Sequence, residues 1–135
     1  MSTAAAINAY KNIGMESGVI AADPHQLISK LYQGALLAIA DAKSSLTRRD
    51  IAAKGAAISK AIVIIDTGLS SSLNKASGGG IAQNLAALYE YISARLVIAN
   101  LNNDVSILDE VAKLLTDLKE GWEAIRQPVA VPAPA

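Results

Sequence analysis

Four segments of the chain carry apolar residues at steps of three and four, and short polar connectors separate them. The segments begin near Asp23, Asp50, Ile81 and Asp104. Steps of three and four place side chains on one face of an α-helix. Connectors as short as "TRRD" and "NNDVS" make consecutive helices antiparallel neighbours. The pattern therefore predicts an all-α protein that folds as an antiparallel up-down four-helix bundle.

Residue types at the segment ends support these boundaries. Asp23 is a good N-cap, and Pro24 suits the first position of a helix. Either Asp104 or Ser106 is expected to cap the fourth helix. The run "AIVIID" in the second segment is β-branched enough to suit a buried strand, but its length and its apolar spacing favour a helix.

The sequence divides into three parts. Residues 23–127 are expected to form the bundle. Residues 1–22 are expected to be a mobile segment with a short amphipathic helix, which is too short to be stable alone. Residues 128–135 are expected to be a disordered tail, because proline recurs there and cannot continue a helix.

Composition argues against several classes of partner. The twelve basic and twelve acidic residues balance, whereas a nucleic-acid-binding protein usually shows a basic excess. The longest unbroken apolar run, Ala35–Ala40, is far short of the roughly 20 residues that span a bilayer. The first residues lack the basic start and apolar run of a signal peptide. We therefore expect a cytoplasmic protein that binds no nucleic acid and does not insert into membranes.

The three glycines before the third helix raise the question of a phosphate site. A phosphate-binding loop of the P-loop type needs a lysine and a hydroxyl residue directly after the glycines and a strand before them. Here Ile81 and Ala82 follow, and a predicted helix precedes. We interpret the glycines as a turn between two helices. Cysteine is absent, no Glu-x-x-His pair occurs and no nucleophile motif is present, so we expect no enzyme activity, no metal and no cofactor.

His25 is the only histidine, and some four-helix bundles transfer phosphate through a single histidine. Such a residue should project into solvent from the middle of a helix. His25 instead falls in the first turn of the first helix, beside Pro24. A surface residue without chemistry fits this position better, and a phosphotransfer module remains the alternative.

The second and third helices carry more apolar residues than one buried stripe requires. The chain is 52% hydrophobic and only 18% charged, so some apolar surface will be hard to cover. The additional positions are Ala57, Ala61, Ile64 and Gly68 on the second helix and Tyr89, Val97 and Ile98 on the third. One hypothesis is a groove for an amphipathic helix of a partner. Tighter self-packing, a homodimer and a self-assembling structural protein remain open.

Several separated motifs resemble the FliS family of flagellar secretion chaperones. They occur in the family's order over nearly the whole chain: Tyr10, then "DPHQLISKLYQGAL", "KAIVIIDTGLSSSL", "GGGIAQNLAALYEYISARLVIAN" and "LDEVAKLLTDLKEGWEAI". Two departures are mild. Gly80 stands where an acidic residue is common, and Ala94 precedes Arg95 where two basic residues are frequent.

The resemblance implies a cytosolic helical bundle that needs no cofactor. Such a chaperone binds the C-terminal segment of flagellin, prevents its premature polymerisation and delivers it to the flagellar type III export apparatus, where FlhA is a further partner. The resemblance also assigns client contacts to Ile7 and Tyr10 of the N-terminal segment. Together with the groove hypothesis, it predicts client binding by Ile7, Tyr10, Ala57, Ala61, Ile64, Gly68, Tyr89 and Val97.

Overall fold

The computed structural model describes residues 23–73 and 79–125 of the 135-residue chain. Its helices are α1 (Pro24–Thr47), α2 (Ile51–Val63), a π-helical segment (Ile64–Leu69) that continues α2, α3 (Gly79–Asn102) and α4 (Val105–Ala124). These two ranges contain no strand. The predicted all-α four-helix bundle is confirmed. The predicted N-terminal helix and Pro/Ala tail lie outside the described residues.

Aspartates cap three of the helices. Asp23 Oδ1 accepts a hydrogen bond from the backbone N–H of Gln26 at 2.8 Å, and Asp50 accepts from Ala53 in the same way. Of the two candidates for α4, Asp104 is the cap, and it accepts from the N–H groups of Ser106 and Ile107. The Ser106 hydroxyl also donates to Asp104, and this bond, followed by the backbone bonds, lowers the pKa of the Asp104 carboxyl.

The tight turns after α1 and α3 each use one residue in the left-handed region. Arg49 has φ 60° and Asn103 has φ 51°. Asparagine tolerates this conformation better than most residues, whereas arginine adopts it less readily. These residues let the chain reverse direction within a few positions, which makes the neighbouring helices antiparallel.

The four helices form a ring in which α1 and α3 are diagonal. Helix α1 packs against α2, the π-helical segment and α4, and α3 packs against α2, the same segment and α4. Large aliphatic side chains fill the space between them. Those with almost no exposure are Leu27, Leu31, Ile39, Ile58, Ile64, Ile65, Leu69, Ile92, Leu96, Leu108, Val111 and Leu115.

His25 and Trp122 join the start of α1 to the end of α4 through three contacts. His25 Nε2 donates to the Trp122 carbonyl at 2.7 Å, and Trp122 Nε1 donates to the His25 carbonyl at 2.9 Å. The two rings stack with centroids 4.5 Å apart and planes 12° apart. The paired bonds satisfy two polar groups that would otherwise lie partly buried without partners.

A buried lysine connects α2 to the end of α3. Lys54 is only 4% exposed, and its Nζ donates to the backbone oxygen and to the side-chain Oδ1 of Asn100 at 2.8 and 2.6 Å. Asn100 lies in the last turn of α3, where helix carbonyls lack intrahelical partners and carry partial negative charge. No basic residue of α3 itself lies in that turn. Lys54 therefore supplies the cation that favours this helix end.

The π-helical segment brings Gly68 against α1. A π-helix closes bonds five residues apart, and the Ser70 N–H donates to the Ile65 carbonyl in this way. A Cβ added at Gly68 would lie 3.0 Å from a methyl group of Leu31, which is fully buried. Glycine at this position therefore permits close approach of the two helices.

We expect Gly68→Val to lower the free energy of unfolding by about 1–3 kcal/mol, because the added methyl groups overlap the packed Leu31 side chain. Urea denaturation followed by circular dichroism measures the change. Gly121 of α4 is the matched control, since no atom lies within 4 Å of an added Cβ there. Gly121→Ala should raise the same free energy by about 0.5–1 kcal/mol. A Gly68→Val protein as stable as the parent would show that the contact is not close-packed.

Candidate partner-binding surface

Helix α3 is apolar on two opposite sides. Its inner side contributes the buried residues Tyr89, Ile92, Leu96 and Ala99 to the core. Its other side carries an outer stripe, which we define as Tyr91, Ala94, Val97, Ile98 and Leu101. Four of these residues follow steps of three and four along the helix, and Val97 lies beside them. Val97 is 48% exposed and Leu101 is 77% exposed.

A polar network borders the outer stripe on the side of α4. Glu110 of α4 accepts a hydrogen bond from the Tyr91 hydroxyl at 2.5 Å. The other oxygen of Glu110 accepts from Arg95 Nε at 3.0 Å and forms an ion pair with the same guanidinium. The Tyr91 bond, and then Arg95, lower the pKa of Glu110, and the same bond raises the pKa of Tyr91. The network holds one edge of the stripe in place.

A second polar contact borders α3 on the side of α2. The Ser93 hydroxyl donates to Asp66 Oδ1 at 2.7 Å. Asp66 belongs to the π-helical segment and is exposed, so its carboxylate is paired with Ser93 at the surface. The outer stripe is thus an apolar strip with polar contacts on both sides, which is the layout of a helix-docking surface.

The structure separates the predicted client-binding residues into two groups. Val97 is exposed on the outer stripe, and Ala57 is half-buried. The other four described positions are covered by the packing of the bundle itself, namely Ala61, Ile64, Gly68 and Tyr89. Ile7 and Tyr10 lie outside the described residues. A partner would reach the four covered side chains only if the helices moved apart.

The second stripe of α2 is therefore not surplus surface. Ala61 and Ile64 have no exposed area, and Gly68 meets Leu31 of α1. A helix in a ring of four has two neighbours, so α2 and its π-helical continuation need one apolar stripe toward α1 and another toward α3. The prediction of a single buried stripe for each helix therefore overestimates the free surface of α2.

Tyr89 has a structural partner across the core. Its hydroxyl and that of Tyr32 are 2.5 Å apart and share a hydrogen bond between the diagonal helices α1 and α3. Both side chains are buried. Burial raises the pKa of both phenols, and the neighbouring Tyr32 raises that of Tyr89 further. The pair satisfies two hydroxyl groups that would be costly to bury separately.

The geometry of His25 does not suit phosphotransfer. Its Nε2 is engaged with the Trp122 carbonyl, and its Nδ1 is buried without a hydrogen-bond partner among the described residues. A phosphoryl acceptor needs one nitrogen free to attack a donor. Neither nitrogen is accessible in this arrangement, which weighs against the phosphotransfer alternative.

Within residues 23–73 and 79–125, no three histidine or acidic side chains are grouped as metal ligands. No helix in this part of the chain is long and apolar enough to cross a bilayer.

A helical bundle whose own helices leave an apolar face uncovered has the features of a protein that binds another protein. The comparisons with known proteins make this specific, since residues 6–129 match the family described as "Flagellar protein FliS". The chain belongs to the FliS family. It is therefore a member of a chaperone family and not of an enzyme family.

Three relatives illustrate the similarity. The flagellar secretion chaperone FliS of Salmonella typhimurium is 47% identical over 125 residues, which cover 93% of each chain. FliSB of Pseudomonas aeruginosa is 47% identical over 120 residues, which cover 89% of this chain and 94% of the relative. FliS of Escherichia coli is 39% identical over 135 residues, or 99% of each. A flagellar secretion chaperone implies a client among flagellar proteins.

The apolar pattern of the sequence predicts only part of the outer stripe. Val97 and Ile98 are among the predicted additional apolar positions, whereas Tyr91, Ala94 and Leu101 are not. The signal was present, because these residues repeat the three- and four-residue steps on the side opposite Leu96. The contacts of Glu110 with Tyr91 and Arg95 carried no such signal, since they join residues of different helices.

The buried tyrosine pair should make stability depend on alkaline pH. A phenol whose pKa is higher in the folded than in the unfolded state stabilises the folded protein below the unfolded pKa near 10. This contribution is lost as the pH rises past about 10, because only the unfolded chain then ionises readily. The free energy of unfolding should therefore fall from pH 9 to 11, as measured by urea titration at each pH.

The variant Tyr32→Phe/Tyr89→Phe is the control, and its stability should fall less over the same range. The single variant Tyr89→Phe should be less stable than the double one, because it leaves the Tyr32 hydroxyl buried without a partner, at a cost of about 1–3 kcal/mol. Parallel pH profiles for the parent and the double variant would contradict the assignment.

Proposed function

We propose that this chain is an export chaperone for flagellin and that the outer stripe of α3 binds an amphipathic helix from the C-terminal segment of that client. One observation carries the proposal. This chain belongs to the FliS family, and its helix α3 exposes the apolar outer stripe although the opposite side of the same helix is buried in the core. A second amphipathic helix laid along α3 would cover this face by helix-in-groove recognition.

The client has a physical reason to need such a partner. The resemblance implies that the terminal segments of flagellin pack as helices in the filament, so before assembly their apolar faces lack neighbours. The outer stripe offers a substitute neighbour of matching geometry. A client held there cannot use the same face to polymerise, and the chaperone thereby delays assembly until export.

The energetics suit binding that can be reversed. Removing a large apolar side chain from water contributes roughly 1.5–3 kcal/mol, and the outer stripe carries several. Ordering a flexible client costs about 2–5 kcal/mol or more of that gain. Although the exposed Glu90 lies on the same face one turn before Ala94, the five residues of the outer stripe are uncharged, so affinity should change little with salt.

The proposal extends to the cellular location, the export partner and the N-terminal segment. We place the protein in the cytoplasm, with delivery of the client to the type III export apparatus through the gate protein FlhA. Ile7 and Tyr10 are proposed to contact the client, and the segment that contains them is proposed to cover the binding face when it is empty. Binding of client would then displace this segment, as in a population shift.

Leu101→Asp should weaken binding of a flagellin C-terminal peptide at least about tenfold, because a charge would be desolvated within an apolar contact. Isothermal titration calorimetry gives the affinity and stoichiometry, for which we expect one to one. Leu37→Asp is the matched control, since Leu37 is 59% exposed on the diagonal helix α1. Equal effects of the two substitutions, or a steep loss of affinity with salt, would contradict docking on the outer stripe.

Deletion of residues 1–14 tests the covering role. If this segment competes with the client for the binding face, the shortened protein should change its affinity for the flagellin peptide or self-associate more strongly. Calorimetry and sedimentation velocity measure the two quantities. No change in either would remove the covering role while leaving the proposed stripe intact.

A further inference from the structure

A second groove lies between α1 and α2, away from α3. Its floor is made of small side chains, Ala53, Ala56 and Ala57, and its volume is about 390 Å³. Ala57 is half-buried and Ala56 is exposed, so the floor is open to solvent. Small residues on a helix let the backbone of another helix approach closely. This groove differs from the outer stripe, in which four of the five side chains are larger than alanine.

Charged side chains stand on both walls of the groove. Asp41 and Arg48 are on the α1 wall, and Lys60 is on the α2 wall. All three are exposed, and none forms an ion pair among residues 23–73 and 79–125. The two cations outnumber the one anion, so the groove is complementary to an acidic ligand.

The guanidinium of Arg48 is already held in place. Its Nη1 donates to the Ser44 hydroxyl at 2.6 Å, and its Nη2 donates to the Ser45 hydroxyl at 3.3 Å. These bonds use two of the five donors of the group and neutralise none of its charge. Because the side chain is restrained before binding, a carboxylate that pairs with it costs less conformational entropy.

We propose that the groove between α1 and α2 docks an acidic amphipathic helix, with small residues on its inner face and a carboxylate directed at Arg48 and Lys60. The alanine floor sets how closely the helix approaches, and the two cations set its register. The site is separate from the outer stripe and does not rest on the proposed function. Binding here depends on charge, whereas binding to the outer stripe does not.

The test uses the full chain and a pair of alanine-based helical peptides. One peptide carries two glutamates one turn apart, and the other carries glutamines at the same positions. Fluorescence anisotropy measures their affinities, and amide chemical shifts of Ala53, Ala56 and Ala57 report the location. We expect the glutamate peptide to bind roughly fivefold or more tightly than the glutamine peptide, with the difference shrinking as salt is raised.

Matched variants identify the residues that matter. The double variant Arg48→Gln/Lys60→Gln should remove the preference for glutamate, and Ala56→Leu should reduce binding of both peptides at least about tenfold by filling the floor. Arg49→Gln is the control, because Arg49 is the adjacent exposed cation and does not line the groove. Leu101→Asp should leave binding of these two peptides unchanged, although it weakens the proposed binding of the flagellin peptide.

Several results would overturn the proposal. These are equal binding of the two peptides, no binding of either, or an effect of Arg49→Gln as large as that of Arg48→Gln. Loss of binding in Leu101→Asp would place the peptide on the outer stripe instead. A free protein that is dimeric at the assay concentration, and becomes monomeric on Ala56→Leu, would show that a second copy of the chain fills the groove.

Discussion

Helix α3 is apolar on opposite sides, and a four-helix bundle buries only one side of each helix. The inner side closes the core through residues such as Ile92 and Leu96. The outer side, with Val97 and Leu101, is left to solvent because no fifth helix of the described chain reaches it. An exposed strip of this kind costs solubility and is characteristic of a surface that meets another protein. The proposed binding role rests on this exposed apolar side of α3.

The outer stripe can bind a partner only if α3 does not rotate and bury it, and polar contacts fix the orientation of α3. Lys54 holds the last turn, Ser93 is bonded to Asp66, and Tyr89 is bonded across the core to Tyr32. Rotation of α3 about its axis would break all of these bonds and leave a buried ammonium and two buried hydroxyls unpaired, at a cost of about 1–3 kcal/mol or more for each group. The polar groups thus define which apolar side faces inward.

The sequence was sufficient for the fold and only partly sufficient for the surface. Apolar spacing and the caps at Asp23 and Asp104 predict four helices and their order, because helix period and capping are local properties. Which stripe of α2 is buried depends on its neighbours on either side, so Ala61 and Ile64 were mistaken for surplus. The π-helical segment is irregular backbone, and the contacts of His25 with Trp122 join residues far apart in the sequence. Neither feature produces a periodic pattern that the sequence could show.

The π-helical turn gives the second helix a place where its length can change. Such a turn holds one residue more than a regular helix would over the same rise, and deleting a residue there would restore the ordinary ladder. In a regular α-helix, a one-residue deletion rotates everything beyond it by roughly 100° about the axis, since each residue turns through that angle. The π turn would absorb the deletion within itself, so Gly68 would keep its contact with Leu31. This stretch can therefore lose a residue that a regular helix could not.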